Sequence, residues 1–197
     1  MTTLNPVELA MMQSPVRAWS QRHLEMRLFR RLLRQAGRDL TGARLLDAGC
    51  GNGHGLQLIQ ETFQPRRLVG FDLMPAQIER AQQRGLAAEI RVGDITQIDE
   101  PDGSFDGVFV FGILHHVPAW RQALRELARV LVPGGVLLVE ELHGRYIAIQ
   151  DRVLRTSHPK QARFDWPQFR EGLADAGFTV RADASLGFVR SFCATRA

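Results

Sequence analysis

A glycine-rich stretch contains the residues of this chain that are best suited to binding a ligand. It runs from Asp47 to Gly53 as Asp-Ala-Gly-Cys-Gly-Asn-Gly, between an apolar run and a predicted helix. Glycines at alternate positions lack the Cβ atoms that would keep a ligand away from the backbone, and they permit the turn into a helix. The carboxylate of Asp47 suits a ligand with an amino group. We therefore predict a ligand site here.

The spacing of these glycines argues against two common nucleotide-binding loops. A dinucleotide fingerprint needs Gly-x-Gly-x-x-Gly, but the two possible third positions are His54 and Leu56. A phosphate-binding loop ends in Gly-Lys-Ser/Thr, and no lysine or arginine occurs between Leu45 and Pro65. A cationic ligand needs no basic side chains, so the loop suits such a ligand better than a phosphate.

Two further aspartates follow the next two predicted strands. Asp72 ends the second apolar run, where a carboxylate can accept both hydroxyl groups of a ribose. Asp94 follows the third run, where it could accept the amino group of adenine, with Ile95 and Leu73 against the ring faces. Aspartates at strand ends often cap turns. Three of them beside a glycine loop disfavour that explanation for all three.

The remaining sequence predicts a sheet that brings these strand ends together. Five apolar runs alternate with helical segments, which is typical of a parallel sheet covered on both faces. They are Arg44–Ala48, Leu68–Asp72, Glu89–Val92, Gly107–Phe111 and Val136–Glu140. Two last runs, Phe178–Ala182 and Phe188–Ala194, predict an antiparallel hairpin at one sheet edge. The helix boundaries are marked by Pro75 and Gly85, Pro118 and Pro133-Gly134-Gly135, and Asp165 and Gly177.

Composition indicates a globular protein of 197 residues, 45% hydrophobic and 23% charged. Two cysteines are too few for a disulfide framework, and the first residues lack a secretory pattern, so we expect a cytoplasmic protein. The uncharged stretch Val108–Val117 is too short to span a bilayer. The net charge is +4. The basic residues are concentrated in one segment, from Arg17 to Arg38. Their spacing is that of an amphipathic helix with solvated arginines, which disfavours nucleic acid as a partner.

These motifs together resemble the class I S-adenosylmethionine-dependent methyltransferases. The matching segments follow the family's order and are Leu45–Gly53, Val69–Asp72, Gly93–Ile95, Gly107–Phe111, Leu114–Pro118 and Glu126–Gly135. The resemblance implies an α/β fold, a Rossmann-like three-layer αβα sandwich whose seven-stranded sheet has its last strand antiparallel. It also implies S-adenosyl-L-methionine as cofactor and S-adenosyl-L-homocysteine as product.

The resemblance assigns roles to the matching residues. The glycine loop would contact the methionine moiety, Asp72 the ribose and Asp94 the adenine, while Phe111 or Gly112 would lie beside the cofactor. The full set of candidate cofactor residues is Asp47, Gly49, Cys50, Gly51, Gly53, Asp72, Leu73, Gly93, Asp94, Ile95, Phe111 and Gly112. We interpret Cys50 as a small filler and not a nucleophile. We assign no metal ligands.

We expect one methyltransferase domain over residues 1–197. Its parts are a helical cap at 1–40, a cofactor-binding core at 41–142, a variable lid at 143–164, and the last helix with the terminal hairpin at 165–197. The sequence leaves monomer and homodimer open.

Methyl transfer from a sulfonium is an in-line displacement with an activated donor, so positioning and desolvation matter most. A general base is needed only where the acceptor must lose a proton. The candidates are His116, His143 and Tyr146, and His115 also falls in this region. Packing or capping of the following helix is the alternative role for His116.

Two features favour a small-molecule acceptor. The segment after the fourth strand lacks the Asn/Asp-Pro-Pro-Tyr/Phe of amino-directed nucleic-acid methyltransferases, and neither cysteine suits cytosine methylation. The lid is basic, which predicts either an acceptor with a carboxylate or phosphate, or a solvated helix. Its cations are Arg145, Arg152, Arg155, Lys160 and Arg163, with Asp151 as its one acid.

Two other functions are compatible with these residues. One is a protein that binds S-adenosylmethionine without catalysis and acts as a regulator or partner. The other is a nicotinamide-dependent oxidoreductase, which the glycine spacing disfavours.

Overall fold

The computed structural model describes residues 14, 19, 21–154 and 156–197. The predicted helical cap over residues 1–40 is therefore described mainly from residue 21 onward. Two basic residues lie outside the described residues: Arg17 of the arginine-rich segment and Arg155 of the predicted lid.

Seven strands form one sheet in the order β3-β2-β1-β4-β5-β7-β6. Strands β1 to β5 pair in parallel, and β7 lies antiparallel between β5 and β6. The last strand is therefore the antiparallel one, which confirms the predicted fold class. The strands are β1 (Arg44–Ala48), β2 (Arg67–Asp72), β3 (Glu89–Val92), β4 (Phe105–Phe111), β5 (Leu131–Leu142), β6 (Phe178–Leu186) and β7 (Val189–Arg196).

Helices lie before β1 and in most of the connections between strands. Within the described residues they are α1 (Met26–Gln35), α2 (His54–Phe63), α3 (Pro75–Gln82), α4 (Trp120–Val130), α5 (Gly144–Leu154) and α6 (Trp166–Asp175). A π-helical turn, Gln21–Glu25, precedes α1, and 3₁₀ turns span Leu114–His116 and Lys160–Ala162. None of the helices in the described part of the chain has the length and apolar character that a membrane crossing requires.

Both faces of the central strands are buried. Because successive side chains of a strand point to opposite faces, Leu45 and Leu46 enter different clusters. Leu45 packs in a cluster with Phe29 of α1, and Leu46 packs in a cluster with Leu124 of α4. All four side chains are fully buried. This burial explains why the strands read as continuous apolar runs.

Strand β5 is longer than the sequence predicted. We expected a helix from Pro118 that stops at Pro133, but α4 begins at Trp120 and Pro133 lies inside β5. The pairing of β4 with β5 shifts register after Phe105, which indicates a bulge. A bulge accommodates a proline without a backbone N–H, and it accommodates Gly134 at a φ of 72°.

The start of α6 agrees with the sequence prediction. The side chain of Asp165 accepts a hydrogen bond from the backbone N–H of Gln168 at 2.9 Å, and the side chain of Gln168 accepts one from the N–H of Asp165 at 3.0 Å. This reciprocal pair is a capping box, which satisfies two N–H groups that the helix itself leaves without partners.

We expect Asp165→Ala to lower the free energy of unfolding by about 1 kcal/mol, because it removes the cap of α6. Urea denaturation followed by circular dichroism measures the change. Asp99→Ala, at an exposed position outside the helices, serves as the control and should leave stability within about 0.5 kcal/mol. Equal losses in the two variants would contradict the capping role.

Candidate functional site

The glycine loop lies where the strand order reverses, between β1 and β4. Open α/β sheets bind their ligands at such a point. A cleft opens beside the loop, and both the loop and Phe111 line it. Its lining residues are Gln21, Asp47, Gly49, Cys50, Gly51, Asn52, His54, Gly55, Gln77 and Phe111.

The loop has a conformation that glycine favours. Gly49 and Gly51 have φ angles of 83° and 51°, in the left-handed region. The N–H groups of Gly49 and Cys50 both donate to the carbonyl oxygen of Phe71 at 2.9 Å, which holds the loop against β2. A Cβ on Gly49 would lie 2.3 Å from Cδ1 of Ile113. Packing within the protein therefore requires this glycine, in addition to any ligand.

Asp72 holds the loop from the end of β2. Its Oδ2 accepts a hydrogen bond from the N–H of Gly51 at 3.0 Å, and its Oδ1 accepts one from the N–H of Met74 at 2.9 Å. Burial raises the pKa of this carboxyl, and these backbone N–H groups oppose the rise. Asp72 thus has a structural role that the sequence did not reveal, and ribose binding stays a prediction.

Asp47 is a buried carboxyl without a partner. It is fully buried, and neither of its oxygens has a hydrogen-bond partner among the described residues. Burial, followed by the negative charge of Asp72, raises the pKa of Asp47 to about 8. A Cβ on Gly55 would lie 2.6 Å from its Oδ2, so the start of α2 passes directly over the carboxyl. A buried carboxyl in this condition is a receptor for a cationic group.

The third aspartate caps a turn. Oδ1 of Asp94 accepts hydrogen bonds from the N–H and the hydroxyl of Thr96, both at 2.8 Å. Ile95 is only 1% exposed and packs in the core, while Leu73 is half-buried. Gly93 donates its N–H to the carbonyl of Asp72 at 3.0 Å. Contact of Asp94 and Ile95 with an adenine stays a prediction.

The other cofactor candidates are fixed by the sheet. Burial raises the pKa of the Cys50 thiol, so Cys50 stays protonated, which accords with its interpretation as filler. Gly112 donates its N–H to the carbonyl of Glu140 at 2.9 Å, which ties the end of β4 to β5.

The structure distributes the three catalytic candidates over different surroundings. Burial, together with the neighbouring His115 and His158, lowers the pKa of His116 to about 2. His143 accepts a hydrogen bond at Nδ1 from the N–H of Arg145 at 3.1 Å. The ring of Tyr146 stacks on Phe188, with centroids 4.9 Å apart.

The predicted lid is less uniformly basic than its sequence indicated. Arg163 donates to Asp151 at 2.6 Å, so this cation is paired within the lid. Arg145, Arg152 and Lys160 are exposed. The helix α5 also exposes Ile149, Val153 and Leu154, by 55%, 70% and 41%. The lid therefore presents apolar surface beside its cations.

A second cavity of about 360 Å³ is lined by Leu24, Glu25, Leu28, Glu140, Leu186, Val189 and Ser191. The π-helical turn contributes to both cavities, because Gln21 lines the first cleft and Leu24 lines the second. Sequence reasoning missed Gln21, Gln77 and this second cavity, since their residues come from separate elements without a shared motif.

Sequence comparison relates this chain to known methyltransferases. A family model described as a methyltransferase domain matches residues 46–139, from β1 to β5. A Mycolicibacterium smegmatis protein named "probable S-adenosylmethionine-dependent methyltransferase" is 34% identical over 82% of the chain and 60% of its own length. A fatty-acid O-methyltransferase of the same organism is 31% identical over 76% of the chain and 49% of its own length. The chain thus spans about half to three-fifths of these relatives.

Solved structures share the fold. A S-adenosylmethionine-dependent methyltransferase from Aquifex aeolicus superposes with a TM-score of 0.75 at 20% identity, over 99% of this chain and 100% of its own. One from Mesorhizobium loti gives 0.71 at 18% identity, over 83% of this chain and 95% of its own. These likenesses cover the seven-stranded sheet and its helices.

The raised pKa of Asp47 predicts a pH-dependent difference in stability. The folded protein retains this proton up to about pH 8, whereas an unfolded aspartate loses it near pH 3.9. The folded state therefore binds more protons between these values, and stability falls as pH rises. Relative to that of Asp47→Asn, the free energy of unfolding of the unmodified protein should fall by up to about 1.4 kcal/mol per pH unit between pH 5.5 and 7.5. Urea denaturation at several pH values measures this.

Asp99→Asn provides the matched control, because Asp99 is exposed. Its free energy of unfolding should follow that of the unmodified protein across the same pH range. Parallel curves for Asp47→Asn and the unmodified protein would show that Asp47 is already ionised in the folded state.

Proposed function

The chain belongs to the class I S-adenosylmethionine-dependent methyltransferases, and from this membership we propose that it transfers a methyl group from S-adenosylmethionine to a small-molecule acceptor. The proposal is carried by Asp47, a buried carboxyl in the cleft beside the glycine loop whose oxygens have no hydrogen-bond partner among the described residues. The ammonium group of the cofactor would give this carboxyl the cation that its surroundings lack.

We assign further candidate residues at the neighbouring strand ends to the same cofactor. Each oxygen of Asp72 accepts one backbone N–H, and its second lone pair is suited to a ribose hydroxyl. We assign the adenine to Asp94 and Ile95 with Leu73 and Gly93, and we assign the reacting end of the cofactor to Phe111 and Gly112. When bound, S-adenosylmethionine supplies a methyl group on a positively charged sulfur, ready for in-line displacement.

The surroundings of the three candidate bases favour an acceptor that reacts without a general base. A base with a pKa near 2, as for His116, does not retain a proton at neutral pH. The Nδ1 of His143 accepts a hydrogen bond, so a neutral ring carries its proton on Nε2 and cannot accept another there. Tyr146 must lose its own proton before it can act as a base. We therefore propose a carboxylate as the attacking group, since carboxylates are ionised at neutral pH.

The apolar surfaces suggest the rest of the acceptor. The second cavity has apolar walls from Leu24, Leu28, Leu186 and Val189, and α5 exposes further apolar side chains. Glu25 and Glu140 also line this cavity and disfavour a second negative charge there, so we assign it the apolar body of the acceptor. The exposed cations of the lid, Arg145 and Arg152 among them, would attract an anionic molecule from solution.

Relatives provide independent support for oxygen methylation. One relative is the fatty-acid O-methyltransferase of Mycolicibacterium smegmatis. Another is a malonyl-[acyl-carrier protein] O-methyltransferase of Serratia marcescens, 37% identical over 54% of this chain and 41% of its own length. We propose an apolar carboxylic acid as the acceptor class.

We expect Asp72→Ala to weaken binding of S-adenosylmethionine by roughly 1.5–3 kcal/mol, about 10- to 150-fold in Kd. The substitution removes a carboxylate acceptor and also releases the N–H of Gly51. Isothermal titration calorimetry measures the affinity, with Asp99→Ala as the control. An unchanged Kd would refute the ribose assignment.

The acceptor class can be tested with three small molecules that have alkyl groups of similar length. Dodecanoate, dodecylamine and a 4-alkylphenol of similar length share an apolar body and differ in the attacking atom. We expect release of S-adenosylhomocysteine with dodecanoate and not with the other two, because the carboxylate alone is a ready nucleophile at neutral pH.

Each other outcome has a distinct meaning. Turnover of the phenol or amine alone would refute the carboxylate and require a base. Binding of S-adenosylmethionine without turnover of any acceptor in a broad acid, phenol and amine panel would favour a regulatory or partner role. Binding of a nicotinamide cofactor in its place would refute the proposed function.

A further inference from the structure

Three histidine rings from two separate segments meet beyond the carboxyl end of β4. His115 and His116 belong to the 3₁₀ turn after β4, and His158 lies between α5 and α6. Their ring centroids are 4.2 Å (115 to 116), 4.6 Å (116 to 158) and 5.5 Å (115 to 158) apart. Each ring offers a nitrogen that lies within 4.8 Å of the nitrogens of the other two. The three rings therefore form one cluster.

Two of the rings are oriented by carboxylates. Nδ1 of His115 lies 2.7 Å from Oε2 of Glu141, and Nδ1 of His158 lies 2.6 Å from Oδ1 of Asp151. A carboxylate that accepts the Nδ1 proton fixes the ring and leaves Nε2 as the basic nitrogen. This arrangement is characteristic of histidines that bind metals. The Nε2 atoms of these two rings are therefore the candidate ligand atoms.

The carboxylates are in turn held by other groups. Oε1 of Glu141 accepts the N–H of Leu114 at 2.6 Å, and the side chain is fully buried. Asp151 accepts hydrogen bonds from the hydroxyl of Thr156 at 2.7 Å and from Arg163 at 2.6 Å. The histidines consequently have a preorganised outer shell. A cation between them would also compensate the buried negative charge of Glu141.

We propose that His115, His116 and His158 bind a divalent transition-metal ion, for which Zn²⁺ is the best match. Imidazole is a preferred ligand of zinc, and three protein ligands with one open position is the arrangement of catalytic zinc sites. Tetrahedral zinc with bonds of about 2.0–2.1 Å needs ligand nitrogens about 3.3 Å apart. The ring nitrogens lie within 4.8 Å of one another, so the rings have to move closer together to bind one ion.

The burial of the rings indicates where the open position lies. His115 and His158 are buried, whereas His116 is partly exposed. The fourth position therefore faces the side of His116, where it can take water or an oxygen atom of a small molecule. The ion would also join the turn after β4 to the segment before α6. Metal binding at this cluster does not depend on the proposed methyl transfer.

The test measures metal binding by the whole chain without S-adenosylmethionine. Protein stripped with a chelator is titrated with ZnCl₂ by calorimetry, and with Co²⁺, whose visible absorption reports four- or five-coordinate geometry. We expect one ion per chain. His116→Ala and His158→Ala should weaken Zn²⁺ binding by more than about 100-fold, and Asp151→Asn by about 10- to 100-fold. The control His23→Ala removes a histidine outside the cluster and should bind normally.

Lack of saturable Zn²⁺ binding by the unmodified protein would overturn the proposal, as would unchanged affinity in His158→Ala. Circular dichroism of the metal-free variants establishes that they are folded. If His158→Ala does not fold, X-ray absorption of the zinc-loaded unmodified protein decides the question by its ligands. Three imidazoles support the site, and sulfur or carboxylate ligands in their place refute it.

Discussion

The hydrogen bond between the Asp72 carboxylate and the N–H of Gly51 is the constraint on which the shape of the glycine loop and its cleft depends. It joins the end of β2 to a loop that leaves β1, and the left-handed glycines let the backbone turn toward that carboxylate. The same carboxylate adds to the rise in the pKa of Asp47, whose first cause is burial. Asp72 thus fixes the loop. The oxygens of Asp47, beside it, have no hydrogen-bond partner among the described residues.

This pairing of acids would favour a cationic ligand in the cleft. With a pKa of about 8, the buried carboxyl of Asp47 is mostly protonated at neutral pH. In this neutral form it does not place an unpaired charge in the protein interior. A cationic ligand would favour the ionised form of Asp47, because the carboxylate would then have a partner of opposite charge within the protein interior. An anionic group would meet the carboxyl of Asp47 and no basic side chain from the loop. Selection for a cation therefore follows from the loop and its acids together.

The sequence predicted the part of the site that depends on local spacing. The glycine loop, the N-cap at Asp165 and the antiparallel last strand follow from residues near one another in the chain, and the structure has all of these features. Asp72 was identified by its place at a strand end, but its bond to Gly51 depends on the register between β1 and β2. The bulge that contains Pro133 was missed, because a proline followed by two glycines indicates a turn as readily as a bulged strand.

Residues brought together by crossovers could not be found in this way. His115 and His116 are adjacent in sequence, but His158 follows a whole helix and a further segment, and no spacing rule links them. Their positions depend on neighbouring residues at the end of β5. Since successive strand residues point to opposite sides, Glu140 bonds to Ser191 beside the apolar cavity, and Glu141 bonds to His115 on the other side. One strand end therefore contributes both to the cavity assigned to the acceptor and to the histidine cluster, so a shift of β5 by one residue would disrupt both sites.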